Sequence, residues 1–212
     1  MRKKYHDILT FGTETVFGEH SAICEPAAFV LDCLVRGNQD YQTTEENPAE
    51  LSSQRRAHTT EQGQRPCAVL ICCADSRVPA EHIFHAGIGE LFVIRNAGNV
   101  IGHFCLGSVE YAVEHLNAPL VIVMGHTNCG AVGAALKHEI WKGGLAKIIE
   151  EVEAAIGDEV DPRKAERKNL LHSLKRLGES EILRELHKEG RVEFAAAIYD
   201  IKSGNVEFLA NA

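Results

Sequence analysis

The stretch Cys67-Ala68-Val69-Leu70-Ile71-Cys72-Cys73-Ala74-Asp75-Ser76-Arg77 decides the fold. Its first seven residues form an unbroken apolar run between Pro66 and Asp75. A short run without polar alternation is typical of a strand that is buried on both faces, as in a parallel sheet. The polar residues follow at the carboxyl end of this predicted strand, which is the edge where open α/β sheets bind ligands.

A second segment repeats this arrangement further along the chain. The apolar run Pro119–Met124 predicts another buried strand, and Gly125-His126-Thr127-Asn128-Cys129-Gly130 follows it. If the two strands are neighbours, both polar segments lie in one crevice. Cys129 is expected near the N-terminus of a helix, where the helix dipole favours a thiolate.

The hydrophobic periodicity of the rest of the chain predicts further strands and helices before and after these two segments. Strands are predicted at Leu91–Ile94, Val192–Tyr199 and Val206–Leu209. Helices are predicted at 26–35, 49–62, 105–116 and 129–138, and over 145–187 with breaks near Gly157 and Gly178. Strands that alternate with helices predict an α/β fold with a mostly parallel central β-sheet flanked by helices. We expect a single domain over 26–212, preceded by an N-terminal extension of unknown role over 1–25. The fold is also expected to carry an N-terminal helical arm.

Composition narrows the class of protein. The chain has 212 residues, of which 45% are hydrophobic and 25% charged. A chain of this length can bury a core that needs no stabilisation by disulfide bonds or a structural metal. The net charge of −8 argues against nucleic acid or an anionic membrane as a partner. No apolar run has the roughly 18 residues of a membrane span. Seven cysteines at irregular spacing do not form a disulfide framework, and a reducing cytoplasm is the expected compartment.

The candidate ligands at the predicted edge are Cys73, His126 and Cys129. One imidazole and two thiolates match the ligands that zinc prefers, and three protein ligands leave a fourth position open for catalysis. In an extended chain, alternate side chains share a side, so Asp75 and Arg77 are expected beside Cys73. Arg77 would then pair with Asp75 and keep it ionised. Small core residues are expected at the other sites considered, Cys33, Cys67, Cys72 and Cys105.

These motifs resemble the β-carbonic anhydrase family. The resemblance rests on Cys-x-Asp-Ser-Arg from Cys73 and on His-x-x-Cys-Gly from His126, and it runs from about Pro26 to Leu209. Three further stretches also match: Arg95-Asn96-Ala97-Gly98-Asn99, Gly107-Ser108-Val109-Glu110-Tyr111-Ala112-Val113 and Tyr199-Asp200 with Gly204-Asn205-Val206.

The resemblance implies zinc-dependent, reversible hydration of carbon dioxide to bicarbonate and a proton. Cys73, His126 and Cys129 would bind zinc. A zinc-bound hydroxide would attack carbon dioxide while Asp75, held by Arg77, orients that hydroxide. Some family members hold this aspartate on zinc in a closed form, which would make Asp75 an alternative fourth ligand. The family also implies a homodimer or homotetramer, with no nucleic acid or membrane partner.

The sequence departs from the family pattern at two places. Members regulated by bicarbonate carry tryptophan where this chain has Leu70, although Arg95 matches their arginine. Many members carry a substrate-binding glutamine at the position of Ala86 or Gly87. Either another group, for example from a partner subunit, replaces that amide, or the activity is reduced. His85 and His103 are expected to be exposed or structurally bonded.

Two other functions remain open at this point. The first is hydrolysis of carbon disulfide or carbonyl sulfide, which relatives of this fold perform with the same metal motifs. The second is a non-catalytic zinc-binding or redox-sensing protein, which would need the cysteines but not Asp75 and Arg77.

The charged run Asp158–Lys168 is expected to be a solvated helix face.

Overall fold

Five strands form one sheet in the order β2-β1-β3-β4-β5. The computed structural model describes residues 2–17, 24–44 and 46–210. The β1–β2, β1–β3 and β3–β4 pairs are parallel, and β5 runs antiparallel to β4, so the predicted mostly parallel sheet is confirmed. The strands are β1 (Ala68–Cys73), β2 (Leu91–Asn96), β3 (Leu120–His126), β4 (Glu193–Tyr199) and β5 (Val206–Phe208).

The two strands that carry the polar segments lie side by side. Every residue of β1 and β3 is buried, as their apolar runs predict. Leu70 of β1 is in register with Ile122 of β3, so both strands end at the same edge of the sheet. This pairing brings the segment after Cys73 next to the segment after His126.

Helices cover both faces of the sheet, and a short 3₁₀ turn follows β2. The charged helical stretch predicted over 145–187, with breaks near Gly157 and Gly178, is confirmed and consists of three helices. One break falls at Gly157, whose φ is +57°, and the other at Gly178, where α9 ends. The helices are α1 (Arg2–Leu9), α2 (Thr13–Phe17), α3 (Glu25–Tyr41), α4 (Ser53–Gln62), α5 (Ala80–Ile83), α6 (His103–Glu114), α7 (Gly130–Ala135), α8 (Gly143–Ile156), α9 (Pro162–Leu177) and α10 (Glu181–Lys188), and the 3₁₀ turn is Ala97–Asn99.

The first two helices pack on the sheet rather than extend away from it. Leu9 is fully buried in the core on the α3 side of the sheet. Phe17 stacks on Phe194 of β4 on the opposite side, with ring centroids 3.9 Å apart. Burial of large side chains such as these stabilises a fold by roughly 1.5–3 kcal/mol each. The N-terminal helices therefore contribute to both layers of the core.

A third, smaller apolar cluster lies beyond the carboxyl ends of β1 and β3. It contains Cys73 and Cys129 together with side chains from α7, α8 and α9. Among residues 2–17, 24–44 and 46–210, no helix combines the length and the apolar character needed to cross a bilayer.

Candidate metal centre

Three ligand-type side chains converge at the shared edge of β1 and β3. Cys73 is the last residue of β1, His126 is the last residue of β3, and Cys129 directly precedes α7. All three are buried, and their candidate ligand atoms lie within 4.8 Å of one another. The parallel pairing of two strands thus brings together residues that are more than fifty positions apart in the chain.

His126 has the hydrogen bonding expected of a metal ligand. Its Nδ1 lies 3.0 Å from the carbonyl oxygen of Thr127, so Nδ1 carries the hydrogen and donates it. Its Nε2 then has a free lone pair, and this atom is buried without a hydrogen-bond partner. A buried polar atom without a partner costs free energy unless another interaction satisfies it. A cation between Nε2 and the two sulfurs would do so, and the donor set fits zinc.

The two site thiols depend on each other for their ionisation, whereas burial alone dominates at Cys72 and Cys105. A hydrogen bond from Cys129 lowers the pKa of Cys73 and outweighs burial, with His126 and the backbone N–H of Gly98 contributing. The Cys73 thiolate in turn raises the pKa of Cys129, so the metal-free pair shares one proton. Burial raises the pKa of Cys72 to about 12 and that of Cys105 to about 11.

The charge on Cys73 also acts on His126. Burial by itself lowers the pKa of this imidazole, but the nearby Cys73 thiolate and the hydrogen bond to Thr127 raise it overall. Asp75 adds to the same effect from its position 4.0 Å from His126 Nε2.

Asp75 and Arg77 form a two-point ion pair beside these donors. Arg77 Nε donates to Asp75 Oδ1 over 2.9 Å, and Arg77 Nη2 donates to Oδ2 over 2.7 Å. These hydrogen bonds hold the pKa of Asp75 well below its usual range. The expected extended alternation after Cys73 is wrong, because the chain turns at Ser76 and Arg77. The turn is closed by a hydrogen bond from the Arg77 backbone N–H to Asp75 Oδ1, at 2.9 Å.

Two arginines fix the backbone around the site. Arg95 of β2 donates to the carbonyl oxygens of Cys73 and Asp75, over 3.2 and 2.7 Å. Arg77 Nη2 also donates to the carbonyl oxygen of Asn128, over 3.1 Å, and so joins the two polar segments. Asp75 is held by Arg77 in this arrangement and is not among the three converging donors.

Helix α9 contributes three polar residues that the sequence analysis missed. Glu166 accepts a hydrogen bond from the Cys129 backbone N–H, and Asn169 donates to the Gly98 carbonyl. Ser173 donates to the carbonyl oxygen of Asn99. All three are buried, so the expectation of a fully solvated face over Asp158–Lys168 is wrong at Glu166. The signal in the sequence is their spacing of three and four residues among Ala165, Leu170 and Leu174, which are also buried.

The positions at which the chain departs from the family pattern are buried or closely packed. Leu70 is buried in the core on the α3 side of the sheet. A side chain at Gly87 would place its Cβ 2.9 Å from backbone atoms of Glu50, so no amide fits at this position. Ala86 is buried. Neither His85 nor His103 belongs to the three-donor cluster.

The other cysteines mostly follow expectation. Cys72 and Cys105 are buried, and Cys72 packs in the layer on the side of α3, away from Cys73. Cys67 is half-buried. Cys33 is exposed, so its assignment to the core is wrong.

Comparison with known proteins agrees with the site. The sequence model of the carbonic anhydrase family matches residues 68–206. A carbonic anhydrase of Pseudomonas aeruginosa is 31% identical over 166 residues, covering 70% of this chain and 76% of that protein. Carbonic anhydrase 2 of Mycobacterium tuberculosis is 61% identical over 74 residues. A carbonic anhydrase of Mycolicibacterium smegmatis is 49% identical over 107 residues. The matched segments span 36% and 52% of the lengths of these two mycobacterial relatives.

Solved structures share the fold. The Coccomyxa β-carbonic anhydrase in complex with acetazolamide aligns with a TM-score of 0.63 and 26% identity, covering 86% of this chain and 82% of that one. A tetrameric β-carbonic anhydrase of Sordaria macrospora aligns with a TM-score of 0.66 and 23% identity, covering 86% and 94%. Fold and site together define an α/β protein with a cysteine–histidine–cysteine metal centre. The chain belongs to the β-carbonic anhydrase family.

Proposed function

We propose that this protein catalyses the reversible hydration of carbon dioxide to bicarbonate and a proton, with zinc held by Cys73, His126 and Cys129. The observation that carries the proposal is the pairing of the buried three-donor cluster with an ionised Asp75 only 4.0 Å from His126 Nε2. When bound, zinc supplies a Lewis acid that makes water acidic enough to ionise near neutral pH.

The residues of the chain then orient the attacking oxygen. Asp75 remains ionised because Arg77 pairs with both of its oxygens, so Asp75 only accepts hydrogen bonds. A hydrogen directed to Asp75 turns an oxygen lone pair toward the substrate carbon, and the turn at Arg77 holds the acceptor in place. Asp75 serves as an orienting acceptor throughout, and the two sulfurs and the imidazole hold the metal.

Stopped-flow carbon dioxide hydration by the zinc-loaded protein tests the proposal, together with metal analysis and the variant Asp75→Asn. The asparagine keeps the size of the side chain but loses the charge that pairs with Arg77. We expect one zinc per chain in both proteins and a hydration rate at least about 100-fold lower in the variant. Full activity of Asp75→Asn would contradict the orienting role of Asp75.

Carbon dioxide is favoured over carbon disulfide or carbonyl sulfide as the substrate. The relatives compared above are named carbonic anhydrases. The intact pair of Asp75 and Arg77 argues against a zinc protein without catalysis. Assays with carbon dioxide and carbon disulfide on one preparation separate the two substrates.

Self-association is part of the proposal, supported by the tetrameric relative of Sordaria macrospora and by apolar surface at one edge of the sheet. β2 is an edge strand, and its residues Leu91–Ile94 are only half-buried. Phe104 and Tyr111 of the neighbouring α6 are 95% and 47% exposed. Exposed apolar side chains beside an unpaired strand edge favour contact with a second copy of the chain. Sedimentation equilibrium distinguishes a monomer from a dimer or tetramer.

Two further assignments complete the proposal. Seven cysteines whose irregular spacing does not suit a disulfide framework favour a reducing cytoplasm. Residues 26–212 would form the catalytic domain, with 1–25 as an extension packed on it through Leu9 and Phe17. Deletion of residues 1–25, followed by thermal unfolding and metal analysis, tests whether the extension only stabilises the domain.

A further inference from the structure

One peptide unit of the metal centre is held from both ends. The carbonyl oxygen of Asn128 accepts a hydrogen bond from Arg77 Nη2 over 3.1 Å. The N–H of the same peptide bond belongs to Cys129 and donates to Glu166 Oε1 over 3.3 Å. Asn128 has a φ of +57°, a conformation that most residues avoid. The orientation of this peptide determines where the Cys129 sulfur lies and what Arg77 contacts besides Asp75.

Glu166 places a carboxylate in a buried position beside the candidate metal ligands. Its side chain is 5% exposed, and its cationic partner within 4 Å is Arg163, at 3.4 Å. Arg163 lies on the surface, with 57% of its side chain exposed, and so screens the carboxylate only weakly. A buried carboxylate is costly and is retained where its hydrogen bond has a specific use.

We propose that Glu166 is a positioning residue of the metal centre, which fixes the Asn128–Cys129 peptide and through it both the Cys129 ligand and Arg77. The inference rests on the proposed function for the identity of the metal and adds a role for a helix outside the two metal motifs. A carboxylate on the N–H and a guanidinium on the carbonyl polarise the peptide in the same sense, so each hydrogen bond strengthens the other.

The next turn of α9 also bonds to backbone beside the metal centre, in this case on the side of Cys73. Asn169 donates to the Gly98 carbonyl over 2.8 Å, and the Gly98 N–H donates to the Cys73 sulfur over 3.3 Å. Glu166 and Asn169 are three residues apart, so they lie on one face of the helix. One helical face therefore reaches both cysteine ligands, through Glu166 to Cys129 and through Asn169 to Cys73.

The test compares zinc release from the purified zinc-loaded protein and its variants into a colorimetric chelator. Glu166→Ala removes the acceptor, and we expect zinc to leave about tenfold faster, the lower end of the range for residues that orient metal ligands. Glu166→Gln keeps a carbonyl oxygen that accepts the same N–H, so its release rate should stay within about twofold of wild type. In Glu166→Ala, kcat should fall with KM unchanged, because Arg77 loses part of its support.

Glu193 provides the matched control. It is a fully buried carboxylate whose Oε1 accepts the backbone N–H of Cys24 over 2.6 Å, at the opposite end of the sheet from the metal centre. Glu193→Ala should lower the unfolding midpoint without changing zinc release. The proposal is overturned if Glu166→Ala releases zinc at the wild-type rate, if Glu166→Gln releases it as fast as Glu166→Ala, or if Glu193→Ala accelerates release equally.

Two provisions keep the result interpretable. If Glu166→Ala does not fold, Glu166→Met takes its place, because methionine fills a similar volume without an oxygen acceptor. Cobalt substitution gives an independent readout, since the sulfur-to-cobalt absorption band should change in Glu166→Ala and not in Glu166→Gln. If the wild type binds zinc but does not hydrate carbon dioxide, the proposed function fails while the comparison of release rates still decides the role of Glu166.

Discussion

Substitution of Gly98 by alanine should destabilise the protein more than its single added methyl group suggests. Gly98 follows β2 in the turn that contacts the metal site, and its φ is +70°. An added Cβ would lie 3.1 Å from the Cβ of Ala131 and 3.4 Å from Cγ2 of Val152. The methyl group would therefore meet two side chains of the small apolar cluster around Cys73 and Cys129.

The expected loss in the free energy of unfolding of Gly98→Ala has two parts. An L side chain at positive φ costs about 1–2 kcal/mol. Inserting a methyl group into a packed cluster costs about 1–3 kcal/mol. Together these give a loss of about 2–5 kcal/mol in the free energy of unfolding, a large fraction of the total stability of a typical domain. The shift of the backbone should also lengthen the hydrogen bond from the Gly98 N–H to the Cys73 sulfur.

Urea unfolding of the metal-free protein measures this loss without a contribution from zinc binding. Gly143→Ala is the matched control, because Gly143 has a φ of +64° and no atom within 4 Å of its added Cβ. The control should lose only the conformational part, about 1–2 kcal/mol. Equal losses in the two variants would refute the overlap at Gly98, and a stability of Gly98→Ala equal to wild type would refute both parts of the reasoning.

Three more outcomes are expected. Removal of zinc by a chelator should abolish activity but leave the circular dichroism of the fold intact, because the core does not depend on the metal; unfolding on chelation would contradict this. In the metal-free protein at pH 6, thiolate absorbance at 240 nm should fall in Cys73→Ser. The reason is that the hydrogen bond from Cys129 lowers the pKa of Cys73, so this thiol loses its proton at a lower pH than an ordinary cysteine; titration near pH 9 would disprove the assignment. Phe104→Ser should weaken self-association without changing the zinc content, and an unchanged sedimentation profile would exclude α6 from the contact.

Much of the metal centre was predictable from the local sequence. The apolar runs that end at Cys73 and precede His126 could be interpreted as buried strands, because aliphatic residues without polar alternation suit a sheet covered on both sides. Polar residues directly after such strands fall at one edge whenever the strands are parallel neighbours. Residue type and position thus predicted which side chains would meet, and the structure places them together.

The turn after Cys73 was harder to predict than its residues. Alternating side chains are expected only of an extended chain, whereas Asp75 accepts the Arg77 backbone N–H and closes a turn. Aspartate competes with regular backbone hydrogen bonding in this way because its side chain reaches N–H groups two residues ahead. The pairing of Asp75 with Arg77 was nevertheless predicted correctly, since a turn brings the same two side chains together.

The sequence by itself determined the strands, the ligand types and the ionic pair, because each depends on residues that are close together in the chain. Only the tertiary structure decided that Glu166 of α9 bonds to the Cys129 N–H and Asn169 to the Gly98 carbonyl, and that the N-terminal helices bury Leu9 and Phe17 in the core. These contacts join segments tens of residues apart, and the local spacing of apolar residues indicates which face of a helix is covered but not which groups that face contacts. Their partners are set by how the helices pack on the sheet, which local periodicity does not specify.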